Sequence, residues 1–237
     1  MSIEVLGPLQ TGELLADRAY HELSRAIITG RIDPGTRLSV PELARQLDIS
    51  RSPVREAVQR LIYDGLAEDR GRRGAAVARI DPRDFLSLLE VRRLLEGFAA
   101  RKAASDASAQ DVAAMQEVLD CHRRRIGEGA IEEDTHVEFD QAFHSAVCDL
   151  ARNEDLTAIL NRMRGRAHLS YASLWQEPLR PDQALAEHAA ILEAIAAGDP
   201  DRAEAVAYAH IDAVLQRYAE RLGHTDPAGE TGSEENK

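Results

Sequence analysis

Two short helical patterns joined by a tight connector restrict the fold of this chain more than any other feature of its sequence. The first pattern covers 40–47, the connector is 48–50, and the second pattern covers 52–64. Ser52 precedes a proline and is placed to cap the second helix, although Ser50 could also cap it. Two helices joined so closely are typical of a helix-turn-helix unit.

A further helical pattern precedes this unit and a hairpin pattern follows it. The segment 10–29 repeats apolar residues at three- and four-residue steps, and 33–38 has the composition of a turn. Strand-like pieces at 66–70 and 75–80 flank the turn 71–74, which has a glycine at each end. This order of elements predicts a winged helix-turn-helix.

From Asp81 onward the sequence contains only helical patterns. Several of them begin with good capping residues, including Ser108 and Asn153. The predicted helices are 82–104, 109–127, 134–151, 154–176, 182–197 and 200–222. The sequence therefore predicts a mostly α protein, in which an N-terminal winged helix-turn-helix is followed by an all-α antiparallel helical bundle.

Charge divides the chain at the same place. The net charge of the 237 residues is −12, but residues 1–80 hold 12 Arg against 11 Asp and Glu, a net of +1. Residues 81–237 hold 29 − 12 = 17 basic against 41 − 11 = 30 acidic side chains, a net of −13. Phosphates repel so acidic a region, so only the first part can bind nucleic acid well. We expect a DNA-binding domain at 10–80, a helical domain at 83–222 and a disordered tail at 224–237.

The sequence gives no indication of a membrane protein. No apolar run approaches the roughly 20 residues that span a bilayer, and the first residues lack the pattern of a signal peptide. Cys121 and Cys148 are too few for a disulfide framework. We therefore expect a cytoplasmic protein.

An arginine cluster lies where the second helix of a helix-turn-helix enters the major groove. Arginine can pair bidentately with guanine, and serine can hydrogen-bond to phosphates or bases. Arginines on the preceding helix and at the hairpin tip are placed to contact the DNA backbone or the minor groove. The predicted DNA-binding residues are Arg45, Ser50, Arg51, Ser52, Arg55, Arg72 and Arg73. The alternative is a solvated helix face.

One carboxylate and three histidines of the helical domain form a candidate metal site. Asp140 and His144 are four residues apart, so they share one helix face. His188 and His210 lie on two other amphipathic helices, and His136 is a rival ligand on the face of Asp140. Such a set suits Zn²⁺, Ni²⁺, Mn²⁺ or Fe²⁺. The alternative is that these histidines are ordinary core residues.

The chain resembles a known family in both parts. "GRIDPGTRLSVPELARQLDISRSPVREAVQRLIYDGLAEDRGRRGAAV" (30–77) resembles the winged-helix domain of GntR-family bacterial transcription regulators, with "SRSPVREA" as its specific core. "EVRRLLEGFAARKAA" (90–104), "DQAFHSAVCDLARNEDL" (140–156) and "EHAAILEAIAAGDPDRAEAVAYAH" (187–210) look like the FCD effector domain of the FadR-like branch. The resemblance implies that Arg51 and Arg55 contact the DNA groove.

The same resemblance implies a metal and an effector. A divalent ion in such domains is held by an Asp-x-x-x-His pair and two later histidines, which match Asp140, His144, His188 and His210. His136 has no counterpart in that pattern. In such domains the metal and an arginine hold a small organic acid. The stripes of inward-facing residues point to Arg92 and Arg166 for this role, with an internal salt bridge as the alternative for each.

These features predict a homodimeric transcription regulator that is not an enzyme. Binding to a palindromic operator in double-stranded DNA would be controlled by a small carboxylate, and most relatives of this kind are repressors. Two alternatives stay open: a metal-dependent enzyme acting on an organic acid, and a regulator that senses the metal itself.

Overall fold

The computed structural model describes residues 12–79, 81–129, 133–174 and 181–224. The expected disordered tail lies, from residue 225 onward, outside these residues. In chain order the elements are α1 (Gly12–Ile28), β1 (Arg37–Leu38), α2 (Val40–Gln46), α3 (Arg51–Tyr63), β2 (Ala67–Asp69), β3 (Ala75–Val77), α4 (Pro82–Asp106), α5 (Ala109–Gly127), α6 (Glu133–Leu150), α7 (Glu154–Leu174), α8 (Pro181–Ala196) and α9 (Pro200–His224).

The N-terminal part is a winged helix-turn-helix, as predicted. Helices α1 to α3 pack beside a three-stranded antiparallel sheet of order β1-β3-β2, in which β2 and β3 form the expected hairpin. Strand β1 was missed, because 33–38 has the composition of a turn. Its buried Leu38, 4% exposed, pairs with Ala75 of β3 and joins the domain's core. Helix α3 begins at Arg51 with Ser50 as N-cap, so the prediction of Ser52 was wrong and the alternative is confirmed.

The core of this domain fixes the orientation of α3. Val54, Ala57 and Leu61 on its inner face are fully buried, so the opposite face turns outward. Val137 of α6 and Leu169 of α7 belong to the same apolar cluster. The two parts of the chain are therefore packed together and not joined by the linker alone.

Helices α4 to α9 form the predicted helical bundle. The long helices α4 and α9 lie so close that a Cβ added at Gly97 would stand 2.0 Å from the ring of Tyr208. The side chain of Asp81 caps α4, and Ser108 and Asp111 form a capping box at the start of α5. The capped, closely packed helices hold the side chains described below in fixed positions.

Helices in the described ranges are too short or too polar to cross a membrane.

Candidate nucleic-acid interface and metal centre

All seven predicted DNA-binding residues are exposed: Arg45, Ser50, Arg51, Ser52, Arg55, Arg72 and Arg73. Within the described part of the chain, none of the five arginines forms an ion pair. Nearby arginines behave differently, since Arg60 pairs with Asp17 and Arg70 with Glu68. Helix α3 and the hairpin tip therefore present positive charges that no described residue pairs.

The N-terminus of α3 is open. Its N-cap Ser50 makes no side-chain capping hydrogen bond, whereas the N-caps of α4 and α5 both do. The first turn of α3 contains no acidic residue. Backbone N–H groups at an open helix N-terminus attract phosphate, and Arg51 lies beside them. This arrangement suits contact with a nucleic-acid backbone and with base edges.

The hairpin tip carries Arg72 and Arg73 in a single 3₁₀ turn. Gly71 and Gly74 bound the turn with φ angles of 61° and 79°, in the region that favours glycine. A Cβ at either position would meet nothing within 4 Å. Backbone conformation, and not lack of space, explains these glycines, and the tip stays free to approach a ligand.

Three histidines from three helices lie together in the second domain. His144 on α6, His188 on α8 and His210 on α9 are buried, and one ring nitrogen of each lies within 4.8 Å of the others. Asp140 places Oδ1 3.7 Å from His144 Nε2 and 3.5 Å from His188 Nε2. Ligand atoms bound to one ion at about 2.1 Å stand roughly 3 to 4 Å apart. The three predicted histidine ligands are thus brought together, and Asp140 lies beside two of them.

Two carboxylates orient two of these histidines. His144 Nδ1 lies 2.8 Å from Glu96 Oε2, and His210 Nδ1 lies 2.7 Å from Glu187 Oε2. Burial alone raises the pKa of Glu187, but hydrogen bonds from His210 and Arg217 outweigh it and lower the pKa to about 2. An ionised carboxylate only accepts hydrogen bonds, so each Nδ1 carries the proton and donates it. In the neutral form of each ring, Nε2 then has the lone pair that a metal ligand requires.

His188 has no such partner. It is fully buried and stacked on Phe143 at 4.3 Å, and neither ring nitrogen has a hydrogen-bond partner among the described residues. Burial, followed by the neighbouring His144 and His210, holds its pKa well below the usual range. A buried imidazole without a partner is costly. A metal ion would satisfy it, and the neutral imidazole is the form that binds metals.

The rival ligand His136 belongs to a different pair. Its Nδ1 lies 3.1 Å from Nε2 of His122, a buried residue of α5 that stacks on Phe139. His136 is not among the three clustered histidines. The structure thus places His136 outside the cluster of His144, His188 and His210.

The buried Arg92 forms the internal ion pair that was the alternative to effector binding. Its Nε and Nη2 donate to Glu96 Oε1 at 2.9 and 2.6 Å. Burial alone raises the pKa of Glu96, but Arg92 and His144 hold it well below its usual range. Glu96 therefore links an arginine to a clustered histidine.

The second expected effector arginine, Arg166, lies beside the turn that follows α3. Its stem packs against Gly65, in the turn after α3, where a Cβ would stand 2.9 Å from Arg166 Cδ. Two residues earlier, Arg164 is only 4% exposed and donates from Nη1 to Ser145 Oγ at 3.1 Å. Its Nη2 lies 3.0 Å from Cys148 Sγ, and its Nε has no hydrogen-bond partner among the described residues.

Glu96 and Arg164 were missed in the sequence, although both had a signal. Glu96 follows Arg92 by four residues, the spacing of an ion pair on one helix face. Arg164 continues the four-residue step of the buried Leu156 and Leu160. Following that step would have identified Arg164 as the buried arginine of α7.

Comparisons with known proteins identify both domains. The family model described as "Bacterial regulatory proteins, gntR family" matches residues 15–77, and that of the FCD domain matches residues 87–213. The HTH-type transcriptional repressor RspR of Escherichia coli K12 is 30% identical, over 91% of this chain and 93% of its own length. The transcriptional regulator LutR of Bacillus subtilis is 32% identical, over 82% of this chain and 98% of its own length.

Solved structures point the same way. E. coli McbR/YncC has the same fold, with a TM-score of 0.76 and 21% identity over 88% of this chain and 98% of its own. A putative GntR regulator from Rhodococcus sp. RHA1 superposes with a TM-score of 0.69 and 26% identity, over 89% of this chain and 99% of its own. These relatives are regulators and not enzymes. The chain belongs to the GntR family of bacterial transcription regulators, and it is a DNA-binding regulator whose second domain is an FCD domain.

Proposed function

We propose that this regulator is a repressor whose operator binding is controlled by a small carboxylate, held at a divalent metal ion in the FCD domain. The DNA-binding domain is assigned to 10–80 and the effector domain to 83–222. The observation that carries the metal is the fully buried His188, whose two nitrogens have no hydrogen-bond partner among the described residues. Asp140, His144 and His210 complete the ligand set.

The charge of the site favours an anionic effector. Arg92 and Arg164 supply two positive charges, Glu96 and Asp140 supply two negative ones, and burial lowers the pKa of His144 and of His188, which favours their neutral forms. A divalent ion would leave this buried set with an excess of two positive charges. A bound ion offers open coordination positions to a carboxylate oxygen. Arg164, whose Nε lacks a partner in the described part of the chain, is the arginine that we assign to the effector.

On the DNA side, the unpaired arginines of α3 read base edges and those of the hairpin tip contact the backbone. One such helix reads only a few base pairs. A homodimer on a palindromic operator supplies the remaining contacts. The protein acts on the chromosome, in the cytoplasm.

Helices α6 and α7 connect the two sites. Val137 of α6 packs in the core of the DNA-binding domain, one turn before Asp140. On α7, Arg164 is followed by Gly165, where an added Cβ would stand 3.3 Å from Leu66 of the DNA-binding domain. An effector that draws on Asp140 and Arg164 therefore acts on two helices that touch the DNA-binding domain directly. Binding would favour one arrangement of the two domains over another.

The test begins with the metal. Protein stripped with a chelator is titrated with Zn²⁺, Ni²⁺, Mn²⁺ and Fe²⁺ in a calorimeter, and we expect one ion per chain. His188→Ala and His210→Ala should each abolish binding, whereas His136→Ala is the matched control and should retain it. Full stoichiometry in both of the first two variants would overturn the ligand set.

The effector is tested on DNA. Fluorescence anisotropy with a duplex from the protein's own promoter region measures affinity while a series of small carboxylates is added to metal-loaded protein. One of them should weaken binding in the wild type and have no effect in Arg164→Ala. If affinity responds to the metal alone and to none of the carboxylates, the ion itself is the signal and the carboxylate proposal fails.

A further inference from the structure

A cleft opens between helix α3 and the small sheet of the DNA-binding domain. Its volume is about 320 Å³, and its lining includes Arg37 of β1, Arg55 and Gln59 of α3, and Gly74 at the end of the hairpin turn. Because Arg55 and the hairpin turn belong to the predicted DNA-binding surface, the cleft is continuous with that surface. Arg37 was not among the predicted residues, since its segment has the composition of a turn.

Strand β1 turns its two side chains in opposite directions. Leu38 is 4% exposed and packs in the core of the domain, whereas Arg37, which is opposite Ala76 of β3, is exposed. Successive side chains of a strand point to opposite faces of the sheet, so the anchoring of Leu38 directs Arg37 outward. Among the described residues Arg37 forms no ion pair. Its guanidinium group is therefore available to a ligand in the cleft.

The charge of the cleft favours an anion. The charged residues that line it are Arg37, Arg55 and Asp69. The carboxylate of Asp69 already accepts a hydrogen bond from the backbone N–H of Gly71 at 2.8 Å, within the hairpin turn. The two arginines have no such partner in the described part of the chain. Their planar groups match the geometry of a phosphate, which can accept two parallel hydrogen bonds from one arginine.

The floor of the cleft is apolar. It includes Leu38 and Val58, which belong to the core, and Ala75 of β3. The small residues Gly74 and Ala75 keep the space beside α3 open, and a Cβ added at Gly74 would meet nothing within 4 Å. A lone inorganic anion would leave this floor in contact with water. A sugar–phosphate chain suits both parts, because its phosphates pair with arginines and its sugars cover apolar surface.

We propose that the cleft holds the sugar–phosphate backbone of one DNA strand, and that Arg37 binds a phosphate of that strand. The strand would pass between the bases contacted by α3 and the segment contacted by the hairpin tip. Phosphate contacts fix the register of a protein on a duplex and carry no sequence information. Arg37 is thus a positioning residue for α3. The inference rests on the DNA-binding part of the proposed function, and it involves neither the metal nor the effector.

The salt dependence of DNA binding tests this contact. Fluorescence anisotropy is measured on the purified full chain with a duplex from its promoter region and with a scrambled duplex. Arg37→Ala should weaken binding to both about tenfold, because a charged hydrogen bond is lost. The slope of log affinity against log salt should fall by about 0.9. Raising the salt from about 50 to 200 mM should therefore weaken the variant about 3.5-fold less than the wild type.

Two further variants control this measurement. Arg37→Lys keeps the charge and should retain most of the affinity and the salt slope of the wild type. Arg31→Ala is the matched control, because Arg31 is exposed in the same domain but pairs with Glu22 at 3.6 Å and lies outside the cleft. An Arg37→Ala variant with the wild-type salt slope would overturn the proposal. A loss of affinity for the promoter duplex alone would also overturn it, since a phosphate contact does not distinguish sequences.

A second experiment identifies the phosphate. Single phosphates of the promoter duplex are replaced by neutral methylphosphonates, one position at a time. Neutralising the phosphate in the cleft should weaken the wild type and have no further effect on Arg37→Ala, while other contacted phosphates stay sensitive in both. If the variant is as sensitive as the wild type at every position, Arg37 holds no phosphate and the proposal fails. A wild type that shows the expected pattern but responds to no metal or carboxylate would sink the proposed effector control alone.

Discussion

The two domains carry their arginines in opposite ways. On the DNA-binding domain, Arg51 and Arg55 are exposed and have no ion pair among the described residues. In the FCD domain, Arg92 is 3% exposed and bonded twice to Glu96. An exposed cation without an ion pair is available to bind an anion such as a phosphate. A buried ion pair is satisfied within the protein and holds neighbouring groups in place. The comparison shows that the position of a charge, and not the net charge of −12, decides its role.

The largest effect expected from this comparison is on stability. Glu96→Ala leaves Arg92 buried without its carboxylate and removes the acceptor of His144, so we expect a loss of about 3 to 5 kcal/mol. Chemical denaturation of the chelator-treated protein measures it. The matched control is Asp120→Ala, which breaks an exposed pair with Arg123 and should cost less than about 1 kcal/mol. Equal losses of stability in the two variants would contradict the distinction between buried and exposed ion pairs.

Variants of the exposed arginines should behave in the opposite way, with little effect on stability and a clear effect on DNA binding. Arg51→Ala and Arg55→Ala should leave stability within about 0.5 kcal/mol of wild type. Each should weaken operator binding by roughly 1 to 3 kcal/mol, because a bidentate contact to guanine is lost. Anisotropy with specific and scrambled duplexes measures both affinity and discrimination. Arg123→Ala, another exposed arginine, is the control, and a comparable loss there would point to general electrostatics.

The sequence predicted the fold of the DNA-binding domain almost completely, because patterns between neighbouring residues determine its elements. Turn glycines and helical periodicity located its three helices and its hairpin. Strand β1 escaped, since a two-residue strand exists only through its pairing with β3. Ser52 was preferred as cap over Ser50 because a proline follows it, yet the helix begins one residue earlier. Errors of this size are expected where two serines separated by one residue compete for the N-cap position.

The histidine cluster of the FCD domain was harder to predict because it is assembled across the bundle. Asp140 and His144 could be paired from their spacing, but His188 and His210 join them only through packing of α8 and α9 against α6 and α4. The carboxylate Glu187 stands beside His188 in sequence and yet orients His210. Sequence spacing along one helix does not reveal such a contact between helices.

The buried histidine His122 provides a pH test of the FCD domain. Burial, and then the neighbouring His136, lower its pKa from 6.5 to about 4, although Asp140 and Asp182 oppose the shift. The unfolded chain therefore takes up the proton more readily than the folded one. The free energy of unfolding is therefore unaffected by His122 above pH 6.5, and it falls as the pH drops from 6.5 towards 4.

Between pH 7 and pH 5.5, the loss of unfolding free energy caused by His122 is about 1 kcal/mol. Denaturation of chelator-treated wild type and His122→Phe at both values measures it, and the variant should lose less stability than the wild type. The exposed His21, replaced in the same way, is the control. An unchanged pH dependence in His122→Phe would mean that His122 is not held neutral by the fold.

The smallest expected effects concern two serines that start helices. Ser108 Oγ accepts a hydrogen bond from the backbone N–H of Asp111, and the backbone N–H of Ser108 donates to the Asp111 carboxylate. Ser108→Ala should therefore cost about 1 kcal/mol of stability. Ser50 makes no such bond, and Ser50→Ala should cost only a few tenths of a kcal/mol, yet it should weaken DNA binding measurably. Denaturation and anisotropy on both variants would separate a serine used by its own helix from one left available to a phosphate. If Ser50→Ala lowers stability as much as Ser108→Ala while leaving operator affinity unchanged, the open N-terminus of α3 has no role in reading DNA.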